Sequence, residues 1–237
     1  MRRAGVKKAK TDAADALRQD RERILALLNV SRETSERLDA YLTLLMRWQK
    51  AVNLVASSTL GSLWTRHVLD SAQIAEIGAH HSLWADIGSG AGFPGMVLAI
   101  LAMEKSKPGT FHLVESDRRK ASFLREAARV TGAPAVIHAC RAEVSLPSLA
   151  QKVTAITARA LAPLPRLLAL AEPLLTTGSE GFFPKGETLS LEMEQALELF
   201  AFESRTMPSR SDEKGLILVI RDLRRRAASV GDFGDRK

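Results

Sequence analysis

The residues best suited to chemistry lie in one stretch, Trp84-Ala85-Asp86-Ile87-Gly88-Ser89-Gly90-Ala91-Gly92-Phe93-Pro94-Gly95, with the apolar run Met96 to Met103 behind it. A short apolar segment, a glycine turn and a longer apolar segment predict a buried strand, a tight turn and a helix. Glycine leaves no Cβ between chain and ligand and accepts positive φ, so a molecule can lie directly on the main chain. Pro94 suits a first helical turn, where its missing N–H costs nothing, and the free N–H groups of that helix point at whatever sits above the turn.

Two ligand classes use such a turn. Read from Gly90, the spacing Gly90-x-Gly92-x-x-Gly95 matches the dinucleotide fingerprint. Read from Asp86, the pattern is acidic-x-Gly-x-Gly-x-Gly, the first signature of S-adenosylmethionine (SAM) methyltransferases. A pyrophosphate is repelled by a carboxylate at the mouth of the turn, whereas the sulfonium and ammonium of SAM tolerate one. A glycine-rich corner with no ligand is the third reading. Asp86, Gly88 and Gly90 are the candidate contacts. Thr110 to Val114 reads as the second strand and ends in Glu115, about 20 residues beyond Gly95, where a Rossmann-like site accepts both ribose hydroxyls. Ala135 to Ala139 reads as the third strand, with Arg141, Ala142 and Glu143 behind it. In a methyltransferase this loop holds the adenine; Glu143 is otherwise a favourable charge at a helix N-terminus. Val153 to Ala158 reads as the fourth strand and runs into Arg159, at the carboxyl end where open α/β sheets keep their ligands; a structural ion pair competes with that reading.

The elements that position these residues follow from periodicity. Arg21 to Val30 and the stretch from Ser31 through Trp48 read as helices, with Ser31 as N-cap of the second and Leu38, Tyr41, Leu42 and Leu45 on its apolar stripe. Arg66, His67, Asp70 and Ser71 share one helix face, and a structural role for His67 competes with a chemical one. Asp117 caps a helix ended by Gly132. Gly178 to Pro184 reads as the fifth strand with Lys185-Gly186 at its tip, and Phe200 to Thr206 with Gly215 to Ile220 as a closing hairpin. The expected organisation is a basic, disordered arm over residues 1–20, a helical cap over 21–80, an α/β core over 81–226 and a tail over 227–237.

The 237 residues carry a net charge of +7, a footprint compatible with nucleic acid. One cysteine, Cys140, excludes an internal disulfide and any cysteine-rich zinc site, and no metal ligand set is expected from the spacing. No apolar run reaches membrane-spanning length and no secretory signal stands at the N-terminus, so a cytoplasmic protein, read as a monomer, is expected.

Taken together, Trp48…Asn53-Leu54, Arg66-His67-x-Leu69-Asp70-Ser71, Asp86-Ile87-Gly88-Ser89-Gly90-x-Gly92-Phe93-Pro94-Gly95, Arg159-Ala160 and Lys185-Gly186 resemble the bacterial small-subunit rRNA guanine-N7 methyltransferase family (RsmG, formerly glucose-inhibited division protein B) over about residues 25 to 222. Gln49, Glu115 and Pro184 depart from the usual family residues. The resemblance implies a Rossmann-like class I fold, with a seven-stranded, mostly parallel sheet and an antiparallel last strand. It implies SAM as cofactor, without metal, and a substrate guanine at position 527 in the 530 loop of 16S rRNA, free or within the 30S subunit. Carried over by motif, the cofactor contacts are Gly88, Phe93, Ala142, Glu143 and Arg159; Asp86 and Gly90 come from the reading of the turn and Glu115 from the end of the second strand. Guanine N7 bears a lone pair and no proton, so no general base is assigned. Arg141, Arg159 and Lys185, with Arg66 and His67 behind them, are the candidate substrate contacts. Methylation of another RNA site, a nucleotide-dependent oxidoreductase and a non-enzymatic RNA- or ribosome-binding protein are the competing functions.

Overall fold

A computed structural model describes residues 2–226. The expected tail, 227–237, lies outside the described residues. Seven strands form one sheet: β1 (Leu83–Ile87), β2 (Thr110–Val114), β3 (Ala135–His138), β4 (Ala155–Thr157), β5 (Glu180–Lys185), β6 (Phe200–Pro208) and β7 (Leu216–Arg225). Their order is β3-β2-β1-β4-β5-β7-β6. The first five are parallel and β7 runs antiparallel between β5 and β6, as the closing hairpin requires. The order reverses direction at β1 and β4, so a crevice opens beyond their carboxyl ends.

Helices cover both faces, α1 (Arg2–Leu28), α2 (Arg32–Trp48), α3 (Asp70–Ile77), α4 (Gly95–Ala102) and α5 (Arg118–Thr131) preceding α6 (Ala142–Leu149), α7 (Leu164–Leu175) and α8 (Leu189–Leu199). Local chemistry sets their ends. The Ser31 hydroxyl accepts from the Thr34 N–H, the Asp117 carboxylate accepts from the N–H groups of Arg119 and Lys120, and Gly132 leaves α5 in the left-handed conformation. A π-helical turn, Trp64–Leu69, leads into α3 and carries Arg66 and His67. Such turns are wider than α-helical ones and recur at functional sites.

The arm expected to be disordered is helical instead: α1 runs unbroken from Arg2, so no boundary falls at residue 20. Alanine, lysine and arginine are strong helix formers, and extending an existing helix costs little once its other half is anchored. The anchor is in place. Arg21 donates to both oxygens of Asp39 on α2 at 2.7 and 2.6 Å, Ile24 is fully buried, and the Thr65 N–H donates to Asp20 at 3.1 Å.

Cap and sheet share one core. Ile24, Leu38, Tyr41 and Leu45 pack in the same cluster as Met96, Phe123 and Leu124. Tyr41 ties the cap to the glycine turn, because its buried hydroxyl donates to the Ala91 carbonyl while its ring lies 5.4 Å from that of Phe93. Tyr41→Phe keeps the packing and leaves that carbonyl without its partner. A loss of about 1–3 kcal/mol in urea unfolding is expected, with a weakened cofactor affinity in titration calorimetry because the turn loses its tether.

Candidate functional site

The glycine turn connects β1 to α4 at the crevice. Gly88 and Ser89 donate backbone N–H bonds to the Val114 carbonyl at 2.9 and 3.0 Å, fastening the turn to the neighbouring strand. Two carboxylates then hold its backbone. Glu115, just past β2, accepts from the Gly90 N–H at 2.8 Å and from the Asp117 N–H at 2.7 Å. Asp86, near the end of β1, accepts from the Gly95 N–H at 3.2 Å. Gly95 must be glycine because a Cβ there would lie 2.6 Å from the Asp86 carboxylate. Gly90 answers to a different constraint. Its φ is +56°, and a Cβ built on it meets only the Gly88 carbonyl at 3.8 Å, so the bare backbone faces open space.

That space is a cavity of about 440 Å³, within the range of small-molecule sites. Its walls include Gly88, Gly90, Phe93, Glu115, Lys120 and Arg159. A second cavity of about 610 Å³ adjoins it, lined by Arg66, Asp70, Lys185, Ser209, Ser211 and Asp212 among others. His67, Arg159 and Leu161 line both, so the two meet at the carboxyl end of β4.

Arg159 is fixed at that junction from three sides. Its Nη1 donates to the Arg66 carbonyl at 3.2 Å, it lies 3.7 Å from Asp70 Oδ2, and its guanidinium sits 5.2 Å from the centroid of the Phe93 ring. Asp70 is oriented in turn by the hydroxyls of Ser209 and Ser211, each donating at 3.1 Å. Burial lowers the Arg159 pKa, and Asp70 works against that shift. His67 also stacks on Phe93, the two rings 4.7 Å apart. Thr59 gives its hydroxyl proton to the Ala56 carbonyl at 2.8 Å, so His67 Nε2–H is the donor to Thr59 Oγ1 at 3.1 Å. Nδ1 is then a bare acceptor, buried and unpartnered. Burial, with the Arg159 and Arg66 charges, lowers the His67 pKa to about 3, so the imidazole is neutral.

The structure therefore brings Gly88, Gly90, Phe93, Glu115, Arg159 and His67 together. Other expected residues are placed differently. Asp86 lies beneath the turn instead of at its mouth, buried, with Oδ1 unpartnered. Arg141, Ala142 and Glu143 stand at the start of α6, past β3, outside the lining of either cavity. Lys185 reaches the second cavity but is held there, donating to Glu192 at 2.7 Å and to the Ala162 carbonyl at 3.2 Å. Arg66 pairs with Asp212 at 2.9 Å across an exposed surface. Lys120, not among the candidates drawn from the sequence, lines the first cavity from the opening turn of α5. Its position five residues past Glu115 was the available signal.

The donor set fits the cofactor that the fold implies. Bare glycine backbone, a carboxylate beside it and an aromatic wall suit an adenosyl group joined to a cationic sulfur, and no phosphate-binding cluster of cations is needed.

Sheet order and crevice together define a Rossmann-like α/β fold of the class I type. The O-methyltransferase from Bacillus cereus solved in complex with SAH superposes with a TM-score of 0.56 at 13% identity, over 89% of this chain and all of that one. The family described as rRNA small subunit methyltransferase G matches residues 34–214. Ribosomal RNA small subunit methyltransferase G of Methylobacterium nodulans is 47% identical, across 86% of this chain and 96% of that protein. Its counterpart in Parvibaculum lavamentivorans is 48% identical, across 86% and 90%. The chain belongs to the rRNA small subunit methyltransferase G family.

Burial raises the Asp86 pKa to about 7 against 3.8 for the free side chain. The folded protein therefore keeps a proton that the unfolded chain releases. Asp86 costs no stability below about pH 4 and progressively more as pH rises to 7, approaching about 4 kcal/mol. Asp86→Asn removes that titration. The stability difference between variant and parent, from urea unfolding at pH 5 and pH 8, is expected to shift in favour of the variant at the higher pH. An unchanged difference would show that Asp86 is ionised throughout.

Proposed function

We propose that this chain transfers a methyl group from SAM to N7 of a guanine in 16S ribosomal RNA, at position 527 in the 530 loop. The observation that carries the reading is the junction of two cavities at Arg159, one walled by bare glycine backbone and one open to a larger substrate. Family membership supplies the substrate class, and the relatives' name supports ribosomal RNA of the small subunit. Among the described residues no helix is long and apolar enough to cross a membrane, which agrees with a cytoplasmic site of action.

Bound SAM supplies a methyl group on a sulfonium, open to in-line attack by a lone pair. The chain's own residues position the partners. Gly88, Gly90 and Phe93 would hold the cofactor against the turn, and Glu115 would accept from its ribose hydroxyls. Ala142 and Glu143, which the family motif assigns to the adenine, stand at the start of α6 outside the lining of the glycine-walled cavity. Arg159, held by Asp70, fixes the line between cofactor and base. His67 stays neutral and presents no second cation where positive charge passes to the base. Arg66 and Arg141 are exposed and meet RNA phosphates, with Arg66 exchanging Asp212 at little cost because that pair is solvated. Lys185 shapes the cleft through Glu192. Positioning of this kind reaches effective molarities on the order of 10⁵–10⁸ M without proton transfer.

Mapping of N7-methylguanosine in 16S rRNA from cells with and without the gene tests the reading. The methyl group is expected at position 527 only when the gene is present. Methylation unchanged by the deletion would overturn it, and a methyl group lost from another nucleotide would move the substrate. Gly90→Asp places bulk in the cofactor cavity at a φ that aspartate tolerates better than most residues. The variant is expected to fold, with an unchanged circular dichroism spectrum, and to lose SAM binding in calorimetry. Retained affinity would place the cofactor elsewhere.

A further inference from the structure

At the other end of the sheet, two histidines and a glutamate converge. His80 and His81 precede β1, and Glu180 opens β5, about a hundred residues later. His81 Nε2 lies 3.2 Å from Glu180 Oε2, and His80 Nε2 lies 3.6 Å from the same oxygen. We propose that His80, His81 and Glu180 form a binding site for a borderline divalent transition metal, Zn²⁺ by preference, that clips the amino ends of β1 and β5 together.

The spacing is what a metal requires. Ligands at roughly 2.0–2.1 Å from a tetrahedral Zn²⁺ stand roughly 3.3–3.4 Å apart. The two separations in the structure, 3.2 and 3.6 Å, bracket that edge length. All three ligand atoms lie within 4.8 Å of one another. Two imidazoles and one carboxylate are the donor chemistry that Zn²⁺, Co²⁺ and Ni²⁺ accept.

The surrounding atoms complete the arrangement. Thr154, just before β4, lies 3.1 Å from His81 Nδ1 and donates to the Leu83 carbonyl at 3.3 Å. With its proton so placed, Thr154 accepts from His81 Nδ1–H and leaves a bare Nε2 lone pair facing a carboxylate oxygen. A cation between them turns that repulsion into two bonds, and Thr154 becomes the outer partner that orients the ligand. The second glutamate oxygen, Oε1, faces Arg205 at 3.5 Å, so Oε2 is the one left for the metal. The neighbouring Arg221 is neutralised by Glu203 at 2.7 Å. His80 is largely exposed and opens the remaining coordination position to water. With the Thr154 hydroxyl turned toward Nδ1, the same groups form a metal-free hydrogen-bonded chain from Thr154 through His81 to Glu180, and the experiment must separate the two.

The test uses the full chain, purified with chelator and carrying no histidine tag. Titration with ZnCl₂ is expected to show one equivalent bound and a raised Tm, and Co²⁺ to give the visible absorption of a tetrahedral site. His80→Ala, whose side chain is exposed, and Glu180→Gln are each expected to weaken Zn²⁺ affinity more than tenfold. Thr154→Val is expected to weaken it roughly ten- to a hundredfold. His112 and His138, 3.0 Å apart on β2 and β3, are the competing pair, and His112→Ala is expected to leave binding unchanged. Absence of Zn²⁺ binding would assign the cluster to the metal-free chain. Binding that survives His80→Ala or disappears with His112→Ala would equally overturn the proposal.

Discussion

Two acidic side chains, Asp86 and Glu115, hold the backbone on which this molecule depends. Asp86 grips the N–H of Gly95 from below and Glu115 grips the N–H of Gly90 from the side. A glycine turn has little conformational preference of its own, and fixing each of its residues costs about 1–2 kcal/mol of entropy. The two acceptors meet that cost at the points where the chain bends most. They also link three neighbouring pieces of the fold, because Asp86 belongs to β1, Glu115 follows β2 and Gly95 begins α4. Tyr41 adds a fourth, the helical cap, through the Ala91 carbonyl. The cavity thus has a floor of rigid main chain, although almost none of that floor is side chain.

Arg159 plays the corresponding part at the cavity junction. A half-buried guanidinium still loses much of its hydration, and here Asp70, the Arg66 carbonyl and the Phe93 ring share the task of replacing it. Each of those partners comes from a different element. Asp70 and Arg66 sit where the π-helical turn passes into α3, and Phe93 lies in the glycine turn. Ser209 and Ser211, from the loop of the closing hairpin, orient Asp70. The hairpin that completes the sheet therefore reaches the site through one carboxylate. This explains why the Arg-His-x-Leu-Asp-Ser block and the glycine turn occur together in the sequence, since Arg159 needs both.

Local features were legible before the structure, and features that depend on distant chain were not. Ser31 and Asp117 as caps, Gly132 as a terminator and the hairpin on the sheet edge each follow from residues within a few positions of one another. The glycine cradle, Glu115 and Arg159 were readable because strand ends in an open α/β sheet converge by topology alone. Asp86 was placed at the mouth of the turn because a strand buried on both faces gives no alternation from which to read a side chain's direction. The sequence offers Lys185 as a substrate contact without showing its partner, because Glu192 lies on a helix whose docking angle no local pattern encodes. The helical arm was missed because its composition resembles a solvated tail, while its anchor is made by residues further along. His80, His81 and Glu180 meet only after β1 and β5 take their places on either side of β4.

The chemistry of the crevice follows from which titratable groups it excludes. By pKa alone Asp86, raised to about 7, is the group best poised for general base catalysis. Geometry disqualifies it, because its carboxylate lies under the turn, bound to the Gly95 N–H, and lines neither cavity. The two titratable aromatic groups beside Phe93 are held in their neutral forms, His67 by a pKa lowered to about 3 and the Tyr41 phenol by burial that raises its pKa well above the usual value. A guanine N7 has no proton to lose, and passing a methyl cation to it moves positive charge without creating any. The reaction asks for alignment and a constant charge, not for proton transfer. A half-buried arginine locked by three partners, beside an imidazole held neutral, supplies that environment.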